Sequence, residues 1–185
     1  MQTAPFVPII RSVGLNGLLV TFGARATDAA NRAAIAFRAE VDAMGWSEVA
    51  ESSSTLVSAF FRVDLAEHDF DALKDRLAEV LATRDWSTTA LPSNRTLWTI
   101  PAVFGGERAP QLAEAAEAAG LSVADAQAAL TSTRLRVLTL GFAPGQPYLG
   151  TLGEAWDIPR QVGLSPNIPA GALVAAVRQI CLFTK

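Results

Sequence analysis

The residues best suited to chemistry gather in one stretch, GFAPGQPYLGTLG at 141–153. Gly141, Gly145, Gly150 and Gly153 let the backbone turn sharply or approach a ligand, while Pro144 and Pro147 restrict it. Successive backbone N–H groups in such a loop can form an anion-binding nest. The spacing matches neither the dinucleotide pattern G-x-G-x-x-G nor the phosphate-loop pattern G-x-x-x-x-G-K-[ST]. Two readings stay open from these residues alone: a rigid loop that caps a sheet, or a loop that contacts a ligand. Phe142 and Tyr148 flank it, as pocket walls or as packing anchors. Arg160 follows in DIPRQ, where a guanidinium can pair with a carboxylate or phosphate, or simply stay solvated.

Other reactive types are sparse. His68 lies in AEHDFD before an amphipathic segment, a position suited to local hydrogen bonding, and no serine or cysteine is tied to it by a motif. Cys181 sits in an apolar stretch and reads as a small buried hydrophobe. Glu154 and Asp157 are three apart near the glycine-rich stretch, and Asp64, Glu67, Asp69 and Asp71 read as a solvated helix start. One cysteine and one histidine leave no internal disulfide and no zinc spacing, so no metal site is expected.

The 185 residues carry 50% hydrophobic and 18% charged side chains and a formal net charge of -3. That composition is too apolar for a disordered chain. With 15 basic against 18 acidic residues it offers no broad cationic surface for nucleic acid or anionic membrane. The N-terminal residues lack a secretory pattern, and no apolar run approaches the length of a spanning helix. The expected location is the cytoplasm.

These side chains need a frame. FVPII and GLLVTFG, within 6–23, read as strands around the turn-rich VGLNG. Ala30, Ala34, Phe37, Val41 and Met44 recur at helical spacing and predict a helix over about 28–44, ended by Gly45. An extended region follows at 47–63, with TLVSAFFRV its strongest segment. A second helix is predicted at 69–83, with Asp69 as N-cap and Phe70, Leu73, Leu77, Val80 and Leu81 on one face. This order predicts an α+β domain over 1–90, two helices on a small antiparallel sheet. TRDWSTTALPSNR at 83–95 reads as a linker, and LWTIPAVFG as a return to extended structure. A helix at 110–119 ends at Gly120, and Ser122 with Asp125 forms a capping box for another at about 123–130. LRVLTLGF is a strand, and ALVAAVRQICLF reads as one apolar strand whose edge and face call for partners.

Gly141, Phe142, Pro144, Gly145, Tyr148, Leu149, Gly150 and Leu152 match a pattern GF-x-PGF-x-YLGGL. Pro159 and Arg160 match a following PR element, and Pro169, Ala170 and Gly171 a PAG element. IPAVFGG at 100–106 and VGLNGLLVTFG near the start add two further matches in order. On these residues the chain resembles the family of the B-type 5-oxoprolinase component, also called allophanate hydrolase subunit 1, which includes KipI-type inhibitors of a histidine kinase. The resemblance implies an N-terminal α+β domain followed, over 91–185, by a cyclophilin-like β-barrel domain. It implies a non-autonomous subunit working with A-type and C-type partners in the ATP-dependent opening of 5-oxoproline to glutamate. ATP and Mg²⁺ would serve the assembly as a whole. It points to Arg160 for catalysis and to Gly141, Phe142, Pro144, Gly145 and Tyr148 for binding. Alternatives are a KipI-like kinase inhibitor or a diverged or truncated inactive member.

The chain departs from the pattern at Gln146, where an aromatic is usual, at Thr151, where glycine is usual, and at Leu130, where a histidine often stands. Its QTG-x-YP element is reduced to Gln179–Thr184, and a later SPGGW stretch is absent. The barrel is therefore expected to be incomplete at its C-terminal end.

Overall fold

A computed structural model of the chain describes residues 7–163 and 167–183. Phe6, the first residue of a predicted strand, and Thr184, the last of the reduced QTG-x-YP element, lie outside the described residues. The chain divides into two compact units, residues 1–96 and 97–185.

The first unit runs β1 (Ile9–Val13), β2 (Gly17–Thr21), α1 (Asp28–Met44), β3 (Val49–Ser54), β4 (Ser58–Val63) and α2 (Phe70–Ala82). Its strands form one antiparallel sheet in the order β1-β2-β4-β3. Alternation decides which side is buried: Leu18, Val20 and Phe22 point inward, as do Ala59, Phe61 and Val63. Leu18 lies opposite Phe61 and Val20 opposite Ala59, so the two inward rows meet.

Helix α1 begins where the Thr27 hydroxyl accepts the Ala30 N–H and ends at Gly45, which takes φ 63. Its buried stripe is Ala30, Ala33, Ala34, Phe37 and Val41, whereas Met44, expected in that stripe, is exposed on the last turn. Helix α2 starts at Asp69, whose carboxylate accepts the N–H groups of Asp71 and Ala72, and it buries Leu73, Leu77 and Val80. The extended region at 47–63 is a hairpin, folded where Thr55 N–H donates to Ser58 O.

The linker reading needs correction at its start. Residues Trp86–Thr88 form a 3-10 turn, and Trp86 is only 2% exposed. Its ring meets Phe37 edge-on at 5.0 Å and lies 6.3 Å from Phe22, and its indole N–H donates to Leu81 O. Arg84 covers it, with Cζ 4.1 Å from the ring centroid. Hydrophobic burial of a large aromatic outweighed the polar composition around it.

The second unit contains α3 (Leu112–Ala118), α4 (Val123–Ser132), β5 (Arg136–Leu140), β6 (Pro147–Gly150), β7 (Leu173–Ala176) and β8 (Gln179–Leu182). Ser122 caps α4 by accepting the Asp125 N–H. The sheet is antiparallel in the order β5-β6-β8-β7. Ile180, Leu152, Trp156 and Ile158 form a core with Ala116, Ala119 and Ala126 of the helical pair, and Leu149 and Ala175 pack against it.

Three expectations change in this unit. The four described strands form an open sheet and not a closed barrel, so the fold is α+β with two four-stranded antiparallel sheets. The C-terminal apolar run is two strands joined by a tight turn, and its last strand, β8, is paired on both sides. LWTIPAVFG forms no strand: Leu97, Trp98, Ile100 and Val103 are exposed, and Pro101 removes a donor that a ladder would need.

Candidate functional site

The glycine-rich stretch is a hairpin, not a free loop. Strand β5 pairs with β6, with Leu140 opposite Pro147 and Thr139 opposite Tyr148. The connection stacks two turns. Ala143 N–H donates to Gly141 O at 2.8 Å around Phe142, which takes φ 65, a γ-turn with a positive central φ. Gln146 N–H then donates to Ala143 O at 3.1 Å across Pro144 and Gly145. Proline at the second position and glycine at φ 75 at the third define a type II β-turn. Gly141 N–H closes the hairpin on Gln146 O at 3.1 Å.

Three of the loop's N–H groups are aimed at the loop's own carbonyls, and Pro144 has none to give. What the turn does present is Phe142, 89% exposed on a backbone that non-glycine residues rarely adopt. Pro144 and Gly145 are exposed beside it, and Gly141 is half-buried.

Tyr148 is half-buried on β6, directly across from Cys181 of β8. The face is set by alternation: Leu149 and Ile180, the next pair along, belong to the helix-covered core, so Tyr148 and Cys181 lie on the opposite side. Gln146 reaches the same place from the turn. It is 2% exposed, and its side-chain amide Nε2 donates to Cys181 Sγ at 2.9 Å. Burial pushes the Tyr148 phenol up from the ordinary tyrosine range, Cys181 adds to that by charge and by hydrogen bonding, and Arg160 draws it back down.

Arg160 is exposed, but its approach is anchored. Ile158 and Trp156 are buried, and their carbonyls accept from Val177 and Arg178 N–H at 2.8 and 2.9 Å. Arg178 Nε also donates to Leu152 O at 2.9 Å. The turn between β7 and β8 therefore holds the segment that leads to Arg160, whose charge reaches the Tyr148 phenol.

Among the residues singled out from the sequence, the structure brings Tyr148 and Arg160 into electrostatic reach of each other. Phe142, Pro144 and Gly145 stand on the exposed hairpin turn, and Gly141 at its base. Cys181, read as a buried hydrophobe, is half-buried and hydrogen-bonded, and with Gln146 it joins the cluster. No spacing signal marks these two, since they are 35 residues apart and meet only through strand pairing. His68 lies in the first unit, with its backbone N–H on Asp64 O at 3.0 Å. Glu154 and Asp157 are exposed at the two ends of a 3-10 turn whose Trp156 is buried, and join none of this.

Among the described residues no group of three or more His, Cys, Asp or Glu side chains could hold a metal ion. No described helix is long and apolar enough to cross a membrane.

An α+β chain with this hairpin site belongs to a defined class: residues 8–185 match the carboxyltransferase domain, subdomain C and D, and the chain is a member of that family. It is 29% identical over 188 residues to the B-type 5-oxoprolinase component of Bacillus subtilis (strain 168), an alignment spanning 94% of this chain and 75% of that protein. A shorter stretch of 74 residues is 40% identical to the B-type 5-oxoprolinase component of Escherichia coli O157:H7, covering 40% of this chain and 34% of the relative. The fold is similar to the crystal structure of TTHA0988, with a TM-score of 0.73 and 24% identity over 91% of this chain. The chain spans only 31% of that longer protein.

Proposed function

We propose that the chain is the B-type component of an ATP-dependent 5-oxoprolinase, acting with A-type and C-type partners to open the lactam of 5-oxoproline to glutamate. The observation that carries this reading is the 29% identity to the Bacillus subtilis B-type component across 94% of the chain. The site is compatible with a share in the work. Ring opening adds water to the lactam carbonyl carbon and breaks the C–N bond, with the nitrogen leaving as a protonated amine. A guanidinium such as Arg160 is suited to hold the substrate carboxylate or the negative charge that develops on the lactam oxygen. Tyr148 supplies a phenol that feels its charge, and exposed Phe142 an apolar contact. In this reading ATP and Mg²⁺ serve the assembled complex.

The test is co-expression of the chain with its A-type and C-type partners, followed by co-purification and an assay of 5-oxoproline-dependent phosphate release. The reading expects a complex with substrate-dependent turnover. It also expects Arg160→Ala to leave the complex intact and lower turnover by roughly 10²–10³-fold, the usual effect of losing a donor aimed at developing charge. A complex that hydrolyses ATP regardless of 5-oxoproline would overturn the substrate. Recovery of a histidine kinase in place of both partners would replace the reading with the inhibitor alternative.

A further inference from the structure

Gln146 is hard to explain as an ordinary turn residue. Its backbone already closes the type II turn and the hairpin, so the side chain is not needed for either. Yet that amide is buried at 2% exposure, and burying one without a partner costs ~1–3 kcal/mol. It is directed at Cys181 Sγ, 2.9 Å away, and Cys181 is the direct cross-strand partner of Tyr148. We infer that Gln146 is a positioning residue for Tyr148, acting through Cys181: the amide fixes the sulfur, and the sulfur fixes the phenol. The three side chains meet because Cys181 lies directly opposite Tyr148 in the ladder and Gln146, in the turn just before β6, reaches back to its sulfur. Cys181 favours the protonated phenol, by charge first and by hydrogen bonding second.

The chemical consequence concerns what a ligand meets. Kept protonated, the phenol offers a ligand its oxygen lone pairs as acceptors, in the field of the positive charge of Arg160. That arrangement suits a small molecule carrying an N–H donor next to a carboxylate. This ligand class rests on the oxoprolinase reading above, whereas the link from Gln146 to Tyr148 does not.

The chain has a single tyrosine, so a near-ultraviolet absorbance titration of the whole protein reads Tyr148 alone. Cys181→Ala is expected to move the phenol's titration down toward the ordinary tyrosine range. Gln146→Met, close in size and lacking the N–H, is expected to move it in the same direction. The double variant should titrate like Cys181→Ala alone, because the amide acts only through the sulfur. Cys181→Ser, which restores a hydrogen-bonding atom, should recover part of the wild-type position. Each variant's thermal transition is recorded alongside, and if Gln146→Met does not fold, Gln146→Leu, which is uncharged and lacks the donor, takes its place. Additive shifts in the double variant, or a Gln146 variant that titrates like wild type, would overturn the inference. A co-expressed complex inactive on 5-oxoproline would remove the ligand class and leave the titration result standing.

Discussion

At the scale of single residues, the phenol of Tyr148 carries a pH signature with a definite sign. Burial and Cys181 raise its folded-state pKa above the unfolded value near 10.0. Its contribution to stability is therefore fully present below that value and is lost as pH rises through the folded pKa, because the unfolded chain ionises first. In Tyr148→Phe this loss disappears. The stability difference between wild type and variant, followed by urea denaturation, is expected to stay constant up to about pH 10 and then move in the variant's favour. A difference that stays flat through the alkaline range would show that the phenol is as free in the folded chain as in the unfolded one. Arg160 acts in the opposite sense, so Arg160→Ala should push the phenol's titration higher still. Both residues stand out in the sequence by type and setting. Their coupling does not, because no local pattern marks an exposed loop arginine as acting on a strand tyrosine.

At the scale of elements, two positions show how tightly the sheets are fitted. A Cβ added at Gly17 of β2 would sit 2.5 Å from Val13 O and 2.6 Å from the Phe60 ring. Backbone cannot yield as a side-chain tip can, so Gly17→Ala is expected to cost roughly 1–3 kcal/mol, visible as a lower urea midpoint with an unchanged slope. The turn between β7 and β8 is strained in the other direction. Val177 and Arg178 take φ 47 and 62, as a two-residue hairpin of the mirror-image type requires, and a β-branched residue is disfavoured there. The turn persists because Ile158 O, Trp156 O and Leu152 O accept from Val177 N, Arg178 N and Arg178 Nε. Val177→Asn keeps the N–H and tolerates the backbone, so it should stabilise by about 1 kcal/mol in thermal denaturation. The same turn shows why part of the fold escaped the sequence. Caps and periodicity marked α1, α2 and α4 through Gly45, Asp69 and Ser122, because those signals are local. The hairpins at 49–63 and 173–182 read as continuous extended runs, since neither Thr55–Val57 nor Val177–Arg178 carries the asparagine–glycine chemistry that announces a turn.

At the scale of the molecule, the first unit has a complete interior of its own. Its four strands and two helices surround Phe22, Phe37, Phe61 and Trp86, with Trp86 supplied by residues that read as linker. A fragment of residues 1–96 is therefore expected to unfold cooperatively in urea, with a slope of roughly 1–2 kcal/mol/M. A fragment ending at residue 83 lacks Trp86 and should lose ~3–5 kcal/mol, enough to abolish that transition. A broad, non-cooperative melt of the longer fragment would show that the unit does not stand alone. The second sheet has a different history, written into its strand order. Strand β6 has only β5 beside it until β8 arrives, and roughly 30 residues of chain separate the two. At translation rates of about 5–20 residues per second, the ribosome leaves that edge open for on the order of seconds. A lone two-stranded hairpin is barely stable in water, so during those seconds the nascent chain offers an unsatisfied edge to any neighbouring polypeptide. The cluster around Tyr148 cannot exist before β8 docks, so it forms only once residue 182 has been made.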